Sequence, residues 1–177
     1  MTKKVSFATV WLDGCSGCHM SFLDIDEVLL DLADKIELVY SPLVDNKIFP
    51  KSVDVTLVEG SISSEEDLEK IKHIRRHTKT LISLGDCAVT GNVPAMRNRF
   101  KVEMIVGRAY LENADFNQHI PSEVIPKLLP KVVPVHHAVD VDIFVPGCPP
   151  DASKILYVLQ ELLAGRKPDM DGKIKFG

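Results

Sequence analysis

The chain has 177 residues, about the size of one domain, which would bury roughly two-thirds of the surface its unfolded form exposes. A hydrophobic fraction of 45% and a charged fraction of 26% exclude an intrinsically disordered chain. A net charge of -4 gives no general attraction to phosphate backbones or anionic lipid, so nucleic acid and membrane are set aside as partners. The apolar run near the start is too short to span a bilayer and no small-residue cleavage site follows it, so the expected compartment is the cytoplasm. In that run "KVSFATV", Lys4 to Val10, is short, β-branched and aromatic and leads into a glycine-containing turn, which predicts a buried strand. "HMSFLDIDEVLLDLADKI" then places Phe22, Ile25, Val28, Leu29, Leu32 and Ile36 at helical spacing, predicting one helix and leaving Cys15 and Cys18 in a β-to-α loop. Ile36 to Tyr40 and Val53 to Gly60 read as the second and third strands. Ser63 with Glu66 has capping-box spacing ahead of a helix that aligns Leu68, Ile71 and Ile74. "TKTLISLGDC" supplies a fourth strand running into Cys87, and "VDIFVPGC" a fifth running into Cys148. Asp151 is placed to cap a last helix bearing Ile155, Leu159, Leu162 and Leu163 and stopping at Gly165. Between them, residues 96–139 have weak periodicity and four prolines from Pro121 to Pro134, and read as a long surface excursion from a single domain spanning 1–177.

Strands alternating with helices predict an α/β fold, a doubly wound and mainly parallel sheet. In such sheets functional loops gather beyond the carboxyl ends of the strands, where strand order reverses. Cys15, Cys18, Cys87 and Cys148 all follow strands, as does Glu59, so one fold brings four thiols to one edge. In a reducing compartment such cysteines suit metal or redox work better than structural disulfides.

Three chemistries compete for them. A thiol/disulfide redox centre needs only Cys15 and Cys18 at a helix start and leaves Cys87 and Cys148 idle. Zinc takes four thiolates, but structural sites usually pair their ligands in two knuckles, and here one pair joins two isolated cysteines. A four-iron four-sulfur cluster tolerates ligands spread over several loops and favours close backbone N–H groups, which the glycines flanking these cysteines allow. Plainer readings stand beside these. One cysteine alone reads as a small core residue. Glu59 reads as a turn cap or, facing the thiols, as an alternative iron ligand or proton relay. His19, His136 and His137 read as hydrogen-bonded packing or surface residues. Arg97, Arg99, Lys101 and Arg108 form a basic strip expected on a solvated face.

Taken together, "WLDGCSGCHMSFLD", "LVEGSI", "LGDCAVTGNVPAMRNRF" and "VDIFVPGCPPDA" resemble the small subunit of nickel-iron hydrogenases, most closely the short form in cytoplasmic bidirectional NAD(P)-linked (Hox-type) enzymes, and the likeness runs down to the terminal "KIKFG". The resemblance implies a flavodoxin-like domain that carries one proximal 4Fe-4S cluster on Cys15, Cys18, Cys87 and Cys148. It also implies a nickel-iron centre in a separate large subunit docked at this edge, and iron-sulfur and flavin (diaphorase) subunits that take electrons onward to NAD(P). Many relatives add a Cys- and His-rich region for two further clusters, and exported ones begin with a twin-arginine signal; neither feature is found here. Respiratory complex I has a related subunit with adjacent cysteines, whereas this chain has the spaced pair "CSGC". The flavodoxin-like fold also raises bound FMN, but Cys15 and Cys18 stand where a Ser/Thr/Gly-rich phosphate loop would follow the first strand.

Overall fold

The structure is a computed structural model that describes residues 4–172; the terminal "KIKFG" likeness lies outside them. Its central strand β1 (Val5–Trp11) starts and ends one residue later than the sequence pattern suggests. The helical pattern that follows is split into α1 (Gly17–Leu23) and α2 (Val28–Ala33). Asp26 adopts a left-handed conformation, φ 61°, which Asp tolerates better than most residues and which no helix interior accommodates. The break lets Phe22, Ile25 and Leu32 all face the core. It also places Cys18 inside the first turn of α1 instead of in the loop before it.

The next strands are β2 (Ile36–Tyr40) and β3 (Val53–Glu59), followed by a short β4 (Ile62–Ser64) and α3 (Glu65–Arg76). The capping box is displaced by one residue from the expected Ser63 and Glu66, because β4 continues to Ser64. Ser64 caps α3, its hydroxyl accepting from the Asp67 N–H at 3.1 Å, and the Asp67 carboxylate accepts from the Ser64 N–H at 3.0 Å. Ile71 and Ile74 anchor this helix with their side chains fully buried, a contribution of roughly 1.5–3 kcal/mol each.

Strand β5 (Thr78–Leu84) ends sooner than expected, and Cys87 falls in the short helix α4 (Gly85–Thr90). After α4 a 3-10 turn, α5 (Val102–Gly107) and a π turn lead to β6 (Leu128–Val133), which pairs antiparallel with β4. Asn98 pins β6 from both sides, donating to the Val132 carbonyl at 2.8 Å and accepting from the Val132 N–H at 2.7 Å. Arg97 is not on a solvated face: it donates to the carbonyls of Ser63 and Leu129 and joins β4 to β6, while Arg99, Lys101 and Arg108 are exposed. Last come β7 (Ile143–Val145) and α6 (Ala152–Leu163). Asp151 holds the N-cap position of α6, but its side chain makes no capping hydrogen bond; its carbonyl accepts from the Lys154 and Ile155 N–H groups instead.

The main sheet has the order β2-β1-β3-β5-β7 with every neighbouring pair parallel, which agrees with the doubly wound expectation. Counting its five strands alone, the order is 2-1-3-4-5, with the reversal between β1 and β3. Alternate residues serve opposite faces. Phe7, Leu57, Ile82 and Val145 join Phe22, Ile155 and Leu159 on one side, while Val10, Val58 and Leu81 join Ile62, Ile71 and Ile74 on the other.

Candidate metal centre

The carboxyl ends of β1, β3, β5 and β7 carry the candidate residues. Loop contacts fix the first pair. The Leu12 N–H donates to the Glu59 carbonyl at 2.9 Å, and Asp13 and Ser61 exchange backbone bonds at 3.1 and 2.8 Å, so the loop leaving β1 rides along the end of β3. Ser16 then turns the chain with φ 68° and α1 begins.

All four cysteines are free thiols; Cys18 is buried, Cys87 half-buried, and Cys15 and Cys148 exposed. They gather from three segments. A Cβ on Gly85 would overlap the Cys18 sulfur, so the start of α4 and α1 meet there with no room for a side chain. The Asn92 amide donates to Cys148 Sγ at 3.5 Å, the Gly17 N–H to Cys15 Sγ at 3.4 Å, and the Val93 N–H bonds Cys87. Donors aimed at sulfur are what a thiolate-bound metal centre uses to set its electronic properties.

The electrostatics exclude four free thiolates. Burial pushes the Cys18 pKa far above the ordinary thiol value, and Glu59, Cys87, Cys15 and Cys148 add to the rise in that order. Cys87 is pushed up to about 11, first by burial and then by Cys148 and Cys15, with the Val93 N–H offsetting part of it. Such thiols keep their protons until a cationic centre displaces them, which is how metal binding to cysteine is coupled to proton release. Among the described residues, no three His, Cys, Asp or Glu side chains converge tightly enough to share a single metal ion. Four sulfurs around zinc would each stand about 2.3 Å from one point.

Glu59 is 2% exposed, and both its oxygens are engaged. The Cys18 N–H donates to Oε1 at 3.4 Å and the His19 N–H to Oε2 at 2.9 Å, while His19 Nδ1 contacts Oε2. The carboxylate thus fills the amide-rich start of α1 and fixes the turn that carries Cys18. His19 is buried beside it, a packing residue as expected, with its Nε2 lacking a partner among the described residues. His136 meets His137 and Phe144 at β7, each edge to face, apart from these contacts. Asn92 and Asp86 carry no signal in the sequence that marks them as part of the site. Each stands close to Cys87 in the chain, but their partners are Cys148 and Gly147, about sixty residues away. Around the thiols Trp11, Met20, Val93 and Met96 are 44–69% exposed.

Residues 15–162 match the family described as the NADH ubiquinone oxidoreductase 20 kDa subunit. The NAD-reducing hydrogenase HoxS subunit delta of Cupriavidus necator is 43% identical over 176 residues, covering 97% of this chain and 84% of the relative. The chain belongs to this family, among the small subunits of nickel-iron hydrogenases. An NAD+-reducing NiFe hydrogenase in its H2-reduced state superimposes with a TM-score of 0.94 at 37% identity, over 99% of this chain and 100% of the other. Sulfhydrogenase 2 subunit delta of Pyrococcus furiosus is 32% identical over 89% of this chain, which spans only 61% of that relative. Among the described residues no helix is long and apolar enough to cross a membrane.

Proposed function

We propose that the chain is the electron-transfer small subunit of an NAD(P)-linked nickel-iron hydrogenase, with one 4Fe-4S cluster held by Cys15, Cys18, Cys87 and Cys148. The carrying observation is the gathering of all four thiols at the carboxyl edge of the sheet in a hydrogenase small-subunit fold. Bound there, such a cluster takes up and releases single electrons. The chain's own residues hold and shield it. Cys18 supplies the innermost ligand, Gly85 leaves space beside it, and the Gly17, Asn92 and Val93 donors face the sulfurs. Glu59 holds the Cys18 turn.

The partner at this edge is the large subunit, which carries the nickel-iron site and splits hydrogen; the exposed Trp11, Met20, Val93 and Met96 form the apolar surface such docking uses. Electrons pass on to iron-sulfur and flavin subunits that reduce NAD(P). Four free thiols and no disulfide among them suit a cytoplasmic setting.

The test is iron and labile sulfide analysis with an EPR spectrum on protein purified without oxygen. The expected result is about four iron per chain with a reducible cluster signal. Cys87→Ser and Cys148→Ser should each lose that signal and hydrogen-to-NAD electron delivery while leaving nickel in the large subunit. Zinc in place of iron, or normal turnover in either variant, overturns the assignment.

A further inference from the structure

Strands β5 and β7 are paired up to Leu84 and Val145, and two residues further on, in the same register, Asp86 faces Gly147. The Asp86 N–H donates to the Gly147 carbonyl at 2.9 Å, and the Gly147 N–H donates back to the Asp86 carboxyl Oδ1 at 2.7 Å. Asp86 is 6% exposed, so this clamp lies inside the protein. Each half of it is one residue from a cysteine: Asp86 precedes Cys87 and Gly147 precedes Cys148.

Gly147 holds a backbone conformation and a close approach that only glycine accommodates. Its φ is 142°, and a Cβ there would come within 2.5 Å of Pro150 Cα. The position is confined to glycine and the peptide is boxed in by Pro149 and Pro150. The spacing between the Cys87 and Cys148 backbones is held by this pair of bonds, of which only the one from the Gly147 N–H depends on the side chain at position 86. A buried polar N–H left without an acceptor is destabilising enough to shift a loop.

We propose that Asp86 is a positioning residue for the metal centre: its carboxyl oxygen, as the hydrogen-bond acceptor of the Gly147 N–H, locks the Cys87 and Cys148 loops at one separation. The inference rests on the reading that those two cysteines hold the cluster. Sequence alone reads Asp86 only as part of the strand running into Cys87, whereas the structure places it in the first turn of α4.

The experiment compares Asp86→Asn, Asp86→Glu and Asp86→Ala in the anaerobically purified protein. Iron per chain, the rate of iron loss to an added chelator, the EPR line shape and thermal unfolding of the cluster-free form are measured for each. Asn keeps an acceptor oxygen at the same reach without the charge. Glu keeps the charge but overshoots by one methylene.

The expected order is iron loss within twofold of the parent for Asn, and about 10-fold faster or more for Glu and Ala, as for other residues that orient metal ligands. Glu and Ala should also alter the EPR line shape. If Ala does not fold, the Asn and Glu pair still decides the matter. Iron retention in Glu equal to that in Asn, or faster loss in Asn than in Glu, overturns the positioning role. Iron-free parent protein overturns the cluster reading and this inference with it, whereas an iron-replete, unaltered Ala variant overturns this inference alone.

Discussion

Gly85→Ala isolates how tightly the fold closes on Cys18. Gly85 has φ 82°, a conformation that costs an L-residue about 1–2 kcal/mol. Its new Cβ would also lie closer than 3.0 Å to Cys18 Sγ, a side chain that cannot withdraw because Cys18 is buried in the first turn of α1. Forcing an extra carbon into a packed position typically costs a further 1–3 kcal/mol. Together these predict a loss of about 2–5 kcal/mol and a displaced thiol. Gly165→Ala provides the control, since Gly165 has φ 73° with nothing within 4 Å of the would-be Cβ. It should lose only the conformational part, about 1–2 kcal/mol, and keep its iron. Urea denaturation gives the two stabilities, and iron analysis shows whether the Cys18 ligand is disturbed. Equal destabilisation in both variants, with full iron in Gly85→Ala, would mean that Cys18 does not press on the start of α4 as described.

Two other measurements probe the frame around the centre. Asp54 is held well below the usual carboxylate range, at about 2, by the Lys79 ammonium and then by the hydroxyl and N–H of Ser6. Its contribution is present above pH 4 and is lost as pH falls from there towards 2. After screening at the exposed Lys79 it amounts to about 1 kcal/mol, so Asp54→Asn should be less stable at pH 7 and show a smaller loss on acidification over that window. A parallel pH dependence in parent and variant would refute it. Ser64→Ala removes the α3 cap and should cost about 1 kcal/mol in urea denaturation, whereas Ser63→Ala, outside the cap position, should cost less.

Much of this molecule is legible along the chain. The strands are short apolar runs whose alternate residues serve the two cores, so the unbroken run through Leu57 and Val58 by itself marks a strand buried on both faces. Placing every thiol after a strand is enough to bring them to one edge. The features that are not legible are decided by contacts distant in sequence. The helix break at Asp26 serves the simultaneous burial of Ile25 and Leu32, which helical periodicity alone describes equally well as one continuous stripe. The shifted capping box follows from β4 reaching Ser64, and β4 exists because β6, some sixty residues later, pairs with it. Arg97 looks like one charge in a basic strip because its acceptors are carbonyls on two other segments.

The same edge explains why this fold can host thiol chemistry where other doubly wound proteins hold nucleotides. At a switch point the usual guest is a phosphate, received by the free N–H groups that open the first helix. Here those donors are already in use. The Cys18 and His19 N–H groups both point to Glu59, a carboxylate supplied from the end of the neighbouring strand β3. A phosphate at the same place would have to displace a buried carboxylate and leave it unpaired, at a cost of several kcal/mol. The internal anion therefore does two things at once. It accepts the Cys18 and His19 N–H groups and so holds the Cys18 turn, and it occupies the donors that a phosphate at this position would use. The β1 loop meanwhile presents Cys15 and Cys18 beside the α1 start that Glu59 occupies.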